Sequence, residues 1–249
     1  MSSFSLFLAA AVCCYMLAEF LFILRKRVLC LVLLGAGIVL HAVFLVSRGW
    51  TAGIFLPNGI FENVFLLPWA LAAAVLILSL AGDRTRSWES GVILVCLFAV
   101  FALVYPKGII PPTPNKLTPW AQGFFLSEVA GHACFFLAGW YALLDIRKDD
   151  TGGRFHSLLI WGFLFYSLSQ VVGAVWAYQG WAGTFRWGSR HLQSAVIWCY
   201  YAAYLHLRFM PRWGGKRRSW YAVAGFFVVM LCSFGSYIHE MNFPRIGGE

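Results

Sequence analysis

The sequence predicts an all-α, polytopic integral membrane protein with eight transmembrane helices and both termini external. Three observations predict it. The 249 residues are 61% hydrophobic and 12% charged, about half the charge of an average soluble domain. Hydrophobic runs of roughly 20 residues recur, the length that crosses a bilayer core of about 30 Å. The runs are continuous rather than alternating, which excludes a membrane barrel or a sheet protein. No polar stretch is long enough to build a soluble domain, so residues 1–249 read as a single membrane domain.

The runs lie at roughly 3–24, 28–47, 64–82, 91–105, 123–144, 156–177, 192–209 and 220–238, with short connections. The first has no basic stretch before it and reads as a membrane span rather than a cleaved signal. Between the second and third, Pro57-Asn58-Gly59 signals a turn. Between the fourth and fifth, PKGIIPPTPNKLTP is rich in proline, cannot be helical through 111–114, and reads as a rigid extended lid or edge. Between the fifth and sixth, DIRKDDTGGR reads as a solvated turn.

The net charge is +9. In a soluble protein this balance would suggest nucleic acid. In a membrane protein it marks the cytoplasmic face. Thirteen of the nineteen basic residues fall in the odd-numbered connections: Arg25, Lys26, Arg27, Arg84, Arg86, Arg147, Lys148, Arg154, Arg208, Arg212, Lys216, Arg217 and Arg218. The positive-inside rule puts these in the cytoplasm and the even-numbered connections outside. The expected location is therefore the inner (cytoplasmic) membrane. The seven cysteines all sit inside apolar runs, and none forms a C-x-x-C pair. They read as small packing residues rather than zinc, redox or haem-attachment sites. No phosphate-binding glycine loop, Ser/His/Asp order or H-E-x-x-H occurs.

The most unusual stretch is 173–208, GAVWAYQGWAGTFRWGSRHLQSAVIWCYYAAYLHLR. It is expected to leave one helix at Trp176, cross an external segment bearing Trp176, Trp181 and Trp187, and enter another helix ending at His206 and Arg208. Indoles settle at membrane interfaces, so an aromatic belt is one explanation. The other is a flat apolar platform for a large aromatic ligand.

This stretch resembles the tryptophan-rich segment, approximately G-x-x-W-A-x-x-x-W-G-x-x-W-x-W-D-P-K-E followed by a helix ending Y-L-H-x-R, of the cytochrome c assembly membrane proteins of the CcsA and CcmC type. Gly173, Trp176, Ala177, Trp181, Trp187, Trp198, Tyr204, Leu205, His206 and Arg208 match in register. Ala182 stands for a glycine and Phe185 for a tryptophan. Gly188, Ser189, Arg190 and His191 stand for Asp-Pro-Lys-Glu, and Gln193 for a further tryptophan. His41, Arg48, Trp50, Pro57, Glu62 and Trp69 are similar to the family's segment after its second span.

Ionisable residues inside spans mark function by default, and imidazole is a standard axial ligand of haem iron. The span from 123 runs inward, placing His132 roughly 13 Å below the outer boundary. His239 ends the last span on the outer side. The resemblance implies that these two flank the tryptophans and bind an external haem b; the alternative is hydrogen-bonded helix packing. It also implies a haem within the membrane at the position of His206, which reads equally as a boundary histidine. His41 lies in the outer half of span 2, about 9–10 Å higher than His206. His191 replaces a family glutamate and reads either as a ligand or as a helix-entry residue. His156 reads as a solvated boundary residue. Arg186 and Arg190 suit haem propionates, because guanidinium grips carboxylate in a fork; surface solvation is the alternative.

The resemblance therefore implies a haem-binding protein of cytochrome c maturation that transports or presents haem externally. Its partners would be haem, apocytochrome c, the bilayer and a partner membrane subunit, with no nucleic acid. It would serve either as a haem lyase component or as a HemX-like accessory to haem supply. A b-type electron-transfer subunit and a channel without haem are the rival classes. The charge asymmetry gives a first prediction: single cysteines introduced at Lys148 and Lys216 label only from the cytoplasmic side. Labelling from outside would invert the assigned orientation.

Overall fold

The computed structural model describes residues 5–56, 62–81, 88–105, 113–147, 154–185 and 188–235. Among them are eight α-helices and no strand: α1 (Ser5–Ile23), α2 (Arg27–Thr51), α3 (Asn63–Ala81), α4 (Val92–Val104), α5 (Pro119–Arg147), α6 (Arg154–Trp181), α7 (Ser189–Leu207) and α8 (Lys216–Met230). All but α4 and α7 are long and apolar enough to cross a membrane, α8 counted with its extension to Gly235. α4 reaches its apolar length of Trp88–Val104 only with a 3-10 turn, Trp88–Gly91, before it. α7 has 19 residues, but its first turns carry Ser189, Arg190, His191, Gln193 and Ser194. The protein is thus a polytopic, all-helical membrane protein. Outward faces are apolar, as with Val28 (75% exposed) and Val104 (73%), while Arg48, Glu62, Glu89, Glu128 and His132 are buried. Lipid solvates the former and cannot solvate the latter.

Several helices overrun their expected limits. α2 continues to Thr51, where Gly53 at φ +76° and the bond from Ile54 N–H to Gly49 C=O (3.0 Å) stop it. α5 starts at Pro119, four residues earlier than its apolar run, because Thr118 Oγ1 accepts from Ala121 N–H at 3.2 Å and caps it. Pro114–Leu117 form a 3-10 turn rather than an extended edge, with Pro114 at its first position, where the missing N–H costs nothing. The Pro57-Asn58-Gly59 turn, Pro111 and Pro112, and the loop 148–153 lie outside the described residues.

The helices group into two compact units, Met1–Phe125 and Leu126–Glu249, dividing inside α5 where the sequence reads as one domain. In the first unit α1 packs on α2 and α4, and α3 packs on α2 and α4. Gly37 permits the α1–α2 approach: a Cβ there would lie 2.5 Å from Tyr15 Cε1. Arg25, at φ +58°, turns the chain from α1 into α2, with Lys26 N–H on Leu21 C=O at 2.9 Å.

Arginine–carboxylate pairs fasten this unit at two places. Arg48 grips Glu62 in a fork, Nε to Oε2 at 2.7 Å and Nη2 to Oε1 at 2.9 Å, and its guanidinium lies 4.4 Å from the Phe65 ring centre. Arg27 reaches Glu89 at 2.6 Å and donates to Ser79 C=O at 2.8 Å. The Arg48 and Glu62 side chains are 9% and 11% exposed, so removing one leaves the other charged in an apolar setting, at about 3–5 kcal/mol. Arg48→Met alone is therefore expected to lower the melting temperature in detergent sharply. Arg48→Met with Glu62→Met should recover most of the loss. A double variant no more stable than the single would refute the pairing.

Candidate functional site

The second unit carries the tryptophan segment. Trp176 and Trp181 lie on helix, not on a loop as the sequence suggested, because α6 continues to Trp181. Gly180 is the only weak helix former in that last stretch, and one glycine costs only about 1 kcal/mol. The two indoles meet edge to face, centres 5.3 Å apart at 74°, and Trp181 is 46% exposed. The chain then turns at Ala182, whose φ is +54°. This is the position where the tryptophan pattern has glycine, and the reason is now visible: the turn is left-handed. After Gly188, in extended conformation, α7 returns antiparallel to α6.

Side chains set the register of that hairpin. Tyr166 OH points to Ser194 C=O at 3.5 Å, Trp198 Nε1 donates to Ser167 Oγ at 3.0 Å, and His156 Nδ1 meets Tyr204 OH at 3.2 Å. From Tyr166 α6 runs fifteen residues to Trp181, whereas from Ser194 α7 runs back only five to Ser189. α6 therefore overshoots α7 by about ten residues, roughly 15 Å. The indoles ride on that projecting end.

His132 faces the hairpin from α5 and is buried. Its Nε2 lies 3.3 Å from Ser233 Oγ, and its ring centre 5.5 Å from that of Tyr166. Ser233 sits in a π-helical turn, Leu231–Gly235, that extends α8. Such turns are rare and cluster at functional sites. Gly162 lets α5 and α6 approach beside this histidine: a Cβ there would stand 2.7 Å from the Phe135 ring. The Phe135 ring is itself stacked on Tyr201 at 3.6 Å. One turn before His132, Glu128 Oε2 binds Arg190 Nη2 at 2.9 Å, with the carboxylate side chain 6% exposed and the arginine 28%. The structure thus gathers residues of α5, α6, α7 and the π-turn around one imidazole. The level of His132, marked by Tyr166, lies ten residues below Trp176, about 15 Å along α6.

The other sequence candidates are dispersed. Arg190, expected on a solvated loop or a ligand carboxylate, is held by Glu128. His191 packs its ring against Phe185 at 5.2 Å. His206 is exposed, and its Nδ1 lies 2.8 Å from Ala202 C=O one turn back. His156 is half-buried against Tyr204 rather than solvated. His41 belongs to the first unit. It is fully buried, its Nδ1 is 3.3 Å from Tyr15 OH, and its Nε2 has no hydrogen-bond partner among the described residues. His239, Trp187 and Arg186 lie outside the described residues.

Sequence reasoning missed Glu128 and Ser233. Glu128 carried a signal, being a carboxylate in an apolar run four residues before a histidine, the spacing at which helix side chains meet. Ser233 carried none, because a π-turn has no composition of its own. Among the described residues no three of His, Cys, Asp and Glu converge as a metal cage. The left-handed Ala182 generates a prediction. Ala182→Gly relieves a backbone conformation that costs an L-residue about 1 kcal/mol, so it should raise the unfolding temperature by a few degrees, whereas Ala182→Val should lower it. Equal melting of all three forms would refute the strain.

Comparison with known proteins agrees with this arrangement. The family model described as cytochrome C assembly protein matches residues 154–241, which contain the hairpin and α8. The cytochrome c biogenesis protein CcsA of Prochlorococcus marinus (strain MIT 9303) is 27% identical over 85% of this chain and 81% of its own length. That of Synechococcus sp. (strain RCC307) is 25% identical over 84% and 81%. A shorter match, to CcsA of Prochlorococcus marinus (strain MIT 9515), reaches 37% identity over 37% of this chain and 28% of the relative. With the tryptophans, the helical architecture and these likenesses along most of its length, the chain belongs to the cytochrome c assembly family of membrane proteins.

Proposed function

We propose that this protein handles haem in cytochrome c biogenesis, receiving it in the membrane and presenting it at the external face to apocytochrome c. The observation that carries the proposal is the set of residues around His132. An axial ligand needs an imidazole nitrogen that can exchange its partner for iron. His132 Nε2 faces only a serine hydroxyl at 3.3 Å, a long contact for a hydrogen bond. Haem carboxylates need fixed cations, and Arg190 stands one helical turn from that imidazole through Glu128. A porphyrin face needs flat apolar surface, and Trp181 with Trp176 supplies it on the projecting end of α6. The donor set therefore fits haem b, with His239 as the second ligand that the family resemblance implies. Arg186 and Trp187 extend the cation and the platform in the same reading.

In this reading bound haem supplies the iron and the groups to which apocytochrome thiols become joined. The chain's own residues bind it, orient it and exclude water. The charge asymmetry supports an external tryptophan segment in the cytoplasmic membrane, since the turn between α7 and α8 carries Arg208, Arg212, Lys216, Arg217 and Arg218. A partner subunit fits the absence of external cysteines and of the Asp and Glu usual around Arg190. His41, with a bare buried nitrogen, and His206 suit a haem within the membrane.

The test is the absorption spectrum of protein purified after expression with ample haem. His132→Ala and His239→Ala should each lower haem content or shift the spectrum from low toward high spin, with partial recovery on adding imidazole. His156→Ala should leave the spectrum unchanged. Wild-type spectra from both outer variants, with haem lost in His41→Ala or His206→Ala, would move the haem into the membrane. Colourless protein would overturn the proposal.

A further inference from the structure

We propose that Glu128 is an internal stand-in for a carboxylate of the ligand, held by Arg190 until the ligand's own carboxylate replaces it. The inference rests on the haem-handling reading of the His132 site and adds to it an exchange between two carboxylates at one guanidinium.

The geometry points to exchange rather than to a fixed strut. Arg190 is in the first turn of α7, directly after the tryptophan segment, and its side chain keeps 28% of its surface open. Glu128 is buried at 6% on α5. The accessible partner of the pair is thus the cation, and a carboxylate arriving from the tryptophan side meets it first. Guanidinium stays charged at any accessible pH, and leaving it unpaired in apolar surroundings is costly. The site must therefore hold a carboxylate both before and after loading. A buried ion pair adds little net stability, so replacing one carboxylate by another is nearly balanced and reversible.

Releasing Glu128 does not strand it. It precedes His132 by four residues on the same helix, the spacing at which side chains meet. A carboxylate beside a ligating imidazole is a common second partner that orients the ring and raises its basicity. Loading would thus turn Glu128 from Arg190 toward His132 and couple recognition of the ligand's acid group to the quality of the axial ligand. The same pair excludes porphyrins that lack a free acid, since they cannot replace Glu128.

The test uses the full chain in lipid nanodiscs with two probes, haem b and its dimethyl ester, titrated by absorption. Wild type should bind haem more tightly than the ester by about ten- to a hundredfold, the worth of one charge-assisted contact. Arg190→Gln should abolish that preference by weakening haem alone. Glu128→Gln should tighten haem by about tenfold, because no internal carboxylate competes, and should leave the ester unchanged, which also reports that the variant is folded. If Glu128→Gln binds neither probe, Glu128→Asp takes its place, its shorter side chain also freeing Arg190 and tightening haem. Equal affinity of wild type for haem and ester, or weaker haem binding in a Glu128 variant that still binds the ester, would overturn the exchange while leaving haem handling intact. Failure of folded wild type to bind either probe would overturn both.

Discussion

Everything buried and charged in this protein obeys one constraint: a carboxylate removed from water needs a cation within contact distance. Three arginine–carboxylate pairs meet it, Arg27–Glu89 and Arg48–Glu62 in the first unit and Arg190–Glu128 in the second. Each joins residues remote in sequence, and each ties a helix end to another element. In a soluble domain the hydrophobic effect would drive the helices together. In lipid the tails are as apolar as the helix faces, so packing at small residues and polar contacts must supply specificity. Gly37 and Gly162 give the close approaches, and the ion pairs fix which elements meet.

The three pairs differ in what surrounds them. Arg48 is roofed by Phe65, and that ring continues through Phe44 to His41, with centres 5.7 and 6.0 Å apart. This pair is a fixed support for a buried histidine. Arg190–Glu128 has no such roof and retains an open cation beside a histidine whose nitrogen is only loosely engaged. One chemical pairing thus serves rigidity in one unit and exchange in the other.

Much of this was legible in the sequence. Continuous apolar runs gave the helices, since lipid leaves a backbone no other way to satisfy its polar groups. The tryptophan register gave the hairpin. Its boundaries were less legible: nothing but Gly180 marks where α6 should stop, and the chain stops at the left-handed Ala182 instead. The histidines were visible as ionisable groups in apolar runs, but their surroundings were not, because partners such as Glu128 for Arg190 lie sixty-two residues apart. Ser233 was invisible, since only the π-turn brings it to His132.

The shortness of α4 has a consequence for the surrounding lipid. Its thirteen α-helical residues span roughly 20 Å, well short of the hydrocarbon thickness of about 30 Å, and the 3-10 turn before it adds about 8 Å. Leu97, Phe101 and Val104 nevertheless face outward as lipid-contacting residues. The adjacent leaflets must dimple inward to match them, at a cost of a fraction of a kcal/mol per Å. At its C-terminal end that dimple draws headgroups and water toward Tyr105, whose ring touches Phe65 beside the Arg48–Glu62 pair. The membrane is thinnest where the first unit holds its most deeply buried charges, so bilayer thickness itself becomes a variable in that unit's stability.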